Sequence, residues 1–278
     1  MRIWFLSDLH HHSSWPFAAP AIAPACDVIV IAGDSGEEMS RKALPWTAEV
    51  FGRYGKPILY VPGNHDFYGA NLAFEIRKAQ LVAEHHKITL LAQGETVVLG
   101  GVRFVGATLW TDFDLGGYGH ISELEAMKNM NDHRYIRFGS SYSKVRPKDL
   151  IDIHYAHRAR IEQVLATPFD GPTVVVTHHA PLERSLQKGY QEGPLDAAYA
   201  SDLSLLIEMY QPEIWLHGHV HVSHNYIHDN TCVRSNPRGY LMGAQMAGRG
   251  RTWPENPNFD PTLVIEVEPR PKPILQPT

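Results

Sequence analysis

Short apolar runs, each closed by polar or chain-breaking residues, recur along this chain. Residues 2–6, 27–32, 57–61, 173–177 and 214–216 are apolar almost without interruption. Runs of that length without alternation predict strands buried on both faces. Helical spacing fills much of the chain between them. Residues 37–54 read as helical, with Pro45 as a break or kink. Asn71 is placed to cap a helix reaching residue 86, with Leu72, Ile76, Ala79 and Ala83 on one face. Residues 148–166 form a third helical pattern, with Leu150, Ile153, Ile161 and Val164 inward, stopped at Pro168. A short capped helix is expected over 201–210.

Two hairpins are signalled by turn residues: 97–99 with 102–105 around Gly100-Gly101, and 225–227 with 231–233 around Asp229-Asn230. A last strand is expected over 262–267. Residues 110–146 have no clean periodicity. Irregular segments of that length in compact domains serve as lids or binding loops, or are disordered, and 111–146 is read as a lid. The tail from residue 268 to 278 is proline-rich and reads as extended. Nothing divides the chain, so 1–278 is expected to form one domain with a layered α/β arrangement.

Composition narrows the classes. With 278 residues, 44% hydrophobic and 20% charged, the chain has the make-up of an ordinary soluble globular protein. A net charge of -5 argues against a broad nucleic-acid-binding surface. Cys26 and Cys232 supply neither a disulfide framework nor a cysteine-based zinc spacing. No apolar run reaches membrane-spanning length, and the first residues do not resemble a signal peptide. A cytoplasmic protein is therefore expected. Seventeen histidines are many for this length, so their placement matters.

That placement is systematic. The first strand ends in Asp8-Leu9-His10, whose two polar side chains lie on one side of an extended backbone. The second ends in Gly33-Asp34, the third in Gly63-Asn64-His65-Asp66, and the fourth in His178-His179. The fifth ends in His217-Gly218-His219-Val220-His221. In layered α/β proteins, sites gather beyond the carboxyl ends of the strands. Five such ends bearing carboxylates, imidazoles and an amide, with no thiolates, suit two divalent ions.

These motifs, in this order, resemble the calcineurin-like metallophosphoesterase superfamily, over residues 3 to about 240. The resemblance implies a four-layer αββα sandwich, two mixed sheets face to face with helices outside. It implies one ion held by Asp8, His10, Asp34 and His221, and a second held by Asp34, Asn64, His178 and His219, with Asp34 bridging. Mn, Fe, Zn or Ni would suit, with Mn or Fe favoured. His65 would protonate the leaving alkoxide or stabilise transition-state charge, with Asp66 orienting it through its other N–H. The stretches 177–181 and 236–240 resemble a bacterial subgroup of these enzymes, a likeness that fixes no substrate.

The expected function is phosphoester hydrolysis at a two-metal site, on a small diester such as a nucleotide-like one. The alternatives are a phosphomonoesterase or pyrophosphohydrolase on a small phosphorylated metabolite, then a nuclease, then an inactive binding module. Val61-Pro62 replaces the Arg that precedes the third motif in the protein phosphatases of this superfamily, which argues against that activity. Little length remains after His221 for a DNA-contacting cap. His11, His12, Arg238, Tyr68, Tyr190 and Tyr199 are secondary candidates for substrate contact, and His217 reads as a satisfied core residue.

Overall fold

The computed structural model describes residues 1–12, 15–243 and 252–268. Its centre is a pair of β-sheets. In the first, the strand order is Val264–Glu266, Arg2–Leu6, Val28–Ala32, Ile58–Val61 and Ile88–Leu90. All neighbours are parallel except the antiparallel edge strand Val264–Glu266. In the second, the order is His224–His228, Thr231–Ser235, Ile214–His217, Thr173–Thr177, Val102–Ala107 and Gln93–Leu99. Its four inner strands are parallel, and an antiparallel hairpin closes each edge.

Side-chain alternation builds three apolar layers from these strands. Ile3, Phe5, Val28, Val30, Leu59 and Val61 of the first sheet meet Phe104, Val174, Val176 and Leu216 of the second. Trp4, Leu6, Ile29, Ile31 and Tyr60 point the other way, against the helices Leu44–Gly52 and Leu72–His85. Val105, Val175, Trp215 and Val233 pack outward against Ile161 of helix Pro147–Ala166 and Leu206 of helix Ser204–Tyr210. Both faces of the central strands are thus covered, which is why their sequences are apolar runs and not alternating ones. This is the expected four-layer αββα sandwich.

Several local expectations change. The 37–54 pattern divides into a π-helical turn, Met39–Ala43, that runs into the helix Leu44–Gly52. Pro45 sits in that helix's first turn. Asn71 stands at the N-cap of its helix but its side chain makes no capping bond; its Nδ2 donates to the Gly139 carbonyl. The short helix begins at Ser204, not at 201. Residues 111–146 are more regular than their sequence suggests. They hold helices His120–Asn129 and Asp132–Tyr135 and the small antiparallel pair Arg137–Phe138 and Ser143–Lys144. Ala126, Ile136 and Val145 anchor them in the outer core of the first sheet. The proline-rich stretch from 269 to 278 lies outside the described residues.

Candidate metal centre

The parallel strands of both sheets end on one side of the molecule, and their terminal residues converge there. Asp8, His10 and His221 bring ligand atoms within 4.8 Å of one another, as do Asp34, His178 and His219, and His10, Asp34 and His65. Asn64 joins the second group, its Oδ1 lying 3.0 Å from His178 Nε2. All seven residues expected to be ligands are therefore gathered at one place.

The backbone turns hard to achieve this. Asp8, His10, Asp34, His219 and His221 all have positive φ, between 41° and 69°. That conformation costs a non-glycine residue roughly 1–2 kcal/mol. Five such residues in one cluster mark a site where local strain is held by the surrounding fold. Two glycines set the packing. A Cβ on Gly63 would collide with the Asp34 carboxylate, and one on Gly218 with that of Asp8. Both carboxylates lie flush against backbone.

The charges are arranged for a cation. Asp34 is buried, which opposes its ionisation, yet His178 and His65 hold it well below the usual carboxylate range. Burial also works against charge on His178, but Asp34 raises it to about 9. His221 is raised to about 10, despite burial, by hydrogen bonds to Asp8 and Glu255. His10 and His219 are held well below their ordinary value, mainly by burial and then by neighbouring imidazoles.

The ring nitrogens are placed for a shared cation. His10 Nε2 and His221 Nε2 face each other at 3.0 Å, with Asp8 Oδ1 3.3 Å from the latter. His219 Nε2 is buried and has no hydrogen-bond partner among the described residues. An all-N/O donor set with an unsatisfied imidazole nitrogen fits divalent cations of the Mn, Fe, Zn or Ni kind.

Around this set lies a second layer of hydrogen bonds, part of which sequence reading missed. His178 Nδ1 bonds the Ala32 carbonyl at 2.9 Å. His221 Nδ1 donates to Glu255 at 2.6 Å. Asp132, from the 111–146 segment, accepts from Asn64 Nδ2 at 2.8 Å and from Tyr68 Oη at 2.7 Å. The amide is thereby turned so that its oxygen faces His178. Asp132 stands in an Asn-Asp-His triplet, a weak signal, and Glu255 has no local signal at all.

One expected role is corrected. Asp66 does not orient His65. Its carboxylate is fully buried and accepts from Tyr60 Oη at 2.6 Å, from Gly63 N at 2.7 Å and from Asp34 N at 3.0 Å. Burial and the nearby Asp34 charge push it up to about 7. Residues 65–67 form a 3₁₀ turn, in which successive side chains diverge by about 120°. His65 is instead held between the rings of His10 and Tyr68, and its Nε2 meets Tyr240 Oη at 2.9 Å.

Arg238 is corrected as well. Its guanidinium donates to the carbonyls of Leu9, Trp15 and Pro16 and lies 4.1 Å above the Trp15 ring, so it braces the loop after the first motif. His217 is satisfied in the core by Ser185 Oγ and the Gly218 carbonyl. Tyr190 is exposed and lines neither cavity beside the cluster.

Those two cavities flank the cluster. One, of about 490 Å³, runs from His10 and His65 toward His11, Trp15 and Trp46. The other, of about 430 Å³, runs from Asp34, Asn64 and His219 toward Asn129, Asn131 and Tyr199. His65 and Tyr240 line both. Among the described residues no helix is long and apolar enough to cross a membrane.

The family model for the calcineurin-like phosphoesterases matches residues 1–223. An uncharacterised protein, L509, of Acanthamoeba polyphaga mimivirus is 26% identical over 256 residues, covering 86% of this chain and 84% of that one. Among solved structures, the phosphopantetheinyl hydrolase (PptH) of Mycobacterium tuberculosis has the same fold, with a TM-score of 0.67 at 18% identity over 86% of this chain and 89% of that chain.

Proposed function

Since the chain belongs to the calcineurin-like phosphoesterase family and is thus a phosphoester hydrolase, we propose that its substrate is a small phosphodiester, split at a two-ion centre. The observation that supports a diester is the pair of cavities meeting at His65 and Tyr240. A phosphomonoester has one organic group to accommodate; a diester has two, diverging from phosphorus. A cluster opening into hollows of similar volume on both sides suits the second case.

In this reading Asp8, His10, Asp34 and His221 hold one ion, and Asp34, Asn64, His178 and His219 the other. Bound there, the ions would polarise the phosphoryl group and acidify water toward neutrality. The chain's own residues do the rest. Glu255 and the Ala32 carbonyl keep the far ring nitrogens of His221 and His178 engaged, so that each presents Nε2 to the cluster. Asp132 presents the oxygen of Asn64. His65, at the junction of the cavities, gives a proton to the departing alkoxide, with Tyr240 holding its Nε2. Asp66 has a structural part, fixing the turn that presents Asn64 and His65 and the backbone of Asp34.

The test is a turnover comparison on manganese-loaded protein, bis-p-nitrophenyl phosphate against p-nitrophenyl phosphate, with Asp34→Asn as the blank. Faster diester turnover that vanishes in the blank is expected. Faster monoester turnover would move the assignment to a phosphomonoesterase.

A further inference from the structure

The larger cavity has a composition that the metal centre does not require. Beyond His10 and His65, several of the side chains that line it are aromatic: His11, His12, Trp15, Trp46 and Tyr240. The His11 imidazole is stacked on the Trp46 indole, 20° from parallel with centroids 4.4 Å apart, so each covers one face of the other and the pair offers a planar surface on its outer side. Trp46 also makes edge-to-face contacts with Phe17 and Phe51. Trp15 contributes another ring, fixed by the Arg238 guanidinium against it. Gly36 leaves part of the wall open, since a Cβ there would meet only the His11 carbonyl, at 3.7 Å. At the margin stand Glu37, which can accept from a polar edge, and Lys42, a donor that also pairs with Glu38.

A flat apolar wall with polar groups at its margin matches one kind of chemical group. Alkyl chains gain nothing from the polar margin. A planar heteroaromatic ring uses both, its face on the aromatic wall and its edge nitrogens and oxygens at the rim. The second cavity differs. It is lined by Asn129, Asn131, Gln187 and Asp196, and the rings of Tyr68 and Tyr199 that also line it meet neighbouring imidazoles tilted by 31° and 30°, not stacked.

We infer that the His11–Trp46 cavity is a seat for a planar heteroaromatic ring, so that the preferred substrate is a diester with a nucleoside-like group on that side of phosphorus. This rests on the phosphodiesterase reading for the placement of phosphorus between the two hollows. The seat itself rests on its own walls.

The experiment measures binding, which separates the two claims. Manganese-loaded protein is titrated calorimetrically with the phosphonate analogues of adenosine 5′-monophosphate and of ribose 5-phosphate, in which carbon replaces the ester oxygen and no hydrolysis occurs. The adenosine analogue is expected to bind about tenfold or more tightly, as base stacking on an aromatic side chain typically gives. That preference should collapse in Trp46→Ala. Because Trp46 also packs on Phe17 and Phe51, Gly36→Leu serves as a second variant, filling the cavity from a position with room for a side chain.

Equal or undetectable binding of the two analogues overturns the inference, as does a preference that survives in both variants. Bis-p-nitrophenyl phosphate turnover in the same preparation reports on the phosphodiesterase reading separately. Ring preference without diester turnover would leave the seat standing and remove the diesterase reading. Turnover without ring preference would do the reverse.

Discussion

The Glu255 carboxylate accepts a 2.6 Å hydrogen bond from Nδ1 of His221 and a 3.0 Å bond from the backbone N–H of Tyr240. A carboxylate can only accept, so Nδ1 of His221 is protonated and Nε2 faces the cluster. Glu255 thus joins the C-terminal part of the chain, beyond the 1–223 matched by the family model, to the candidate metal centre. Removing such a carboxylate typically costs 10–100-fold in metal affinity. Glu255→Ala is expected to weaken manganese binding by about that factor, with Glu255→Gln in between. Calorimetric titration of the metal-free protein checks this, and unchanged affinity in both variants would show that His221 needs no such support.

Asp132 offers a parallel case on the other side of the cluster. It holds the Asn64 amide and the Tyr68 hydroxyl at once. Asp132→Ala frees the amide to rotate and is expected to lower affinity for one of two ions by about tenfold. A titration resolving two binding events should show one weakened and one nearly unchanged. Equal weakening of both would mean a general loosening of the site.

His65 and Tyr240 are separable by leaving group. Losing a general acid typically costs ~10²–10⁴-fold in rate. His65→Ala should show that loss on a dialkyl diester, whose alkoxide leaves poorly, and much less on a nitrophenyl ester. Tyr240→Phe removes the 2.9 Å partner of His65 Nε2 and should reproduce the same leaving-group dependence at smaller amplitude. Product formation from both esters measures it, and a uniform loss on both would deny His65 the proton transfer.

These assignments differ in how far they could be read from the sequence. The five ligand-bearing strand ends were legible because each motif directly follows an apolar run, and a parallel sheet sends such ends to one side. A layered α/β arrangement followed from the same runs, since a strand covered on both faces lacks alternation; the four-layer sandwich was implied by the family resemblance. Asp66 misled because adjacency in sequence says nothing of direction inside a 3₁₀ turn. Asp132, Tyr240 and Glu255 come from stretches without periodicity and reach the site only through tertiary packing. The 111–146 segment looked irregular because its helices are short, four to ten residues, and bury few side chains each.

A buried histidine away from the site predicts how the fold responds to acid. His157, on the helix Pro147–Ala166, is 3% exposed and is pushed down to about 3, chiefly by burial and then by His154. In the unfolded chain it titrates near 6.5. Its folded value is the lower one, so above about pH 6.5 neither state takes up the proton and stability is unaffected. Below that the unfolded state protonates first, and stability falls as pH drops from about 6.5 toward 3, by roughly 1.4 kcal/mol per pH unit. In urea melts of the metal-free protein, His157→Leu should be less sensitive to pH across that window. Parallel curves for wild type and variant would contradict a neutral buried imidazole.

The central claim is that five strand ends build one centre for two ions. It is tested most directly by counting metal. Protein stripped with chelator, reloaded with manganese and freed of excess should contain two ions per chain by elemental analysis. Asp34→Asn, altering the carboxylate proposed to be shared, should contain clearly fewer. One ion or none in the wild type, or two retained in the variant, would contradict the shared-carboxylate centre.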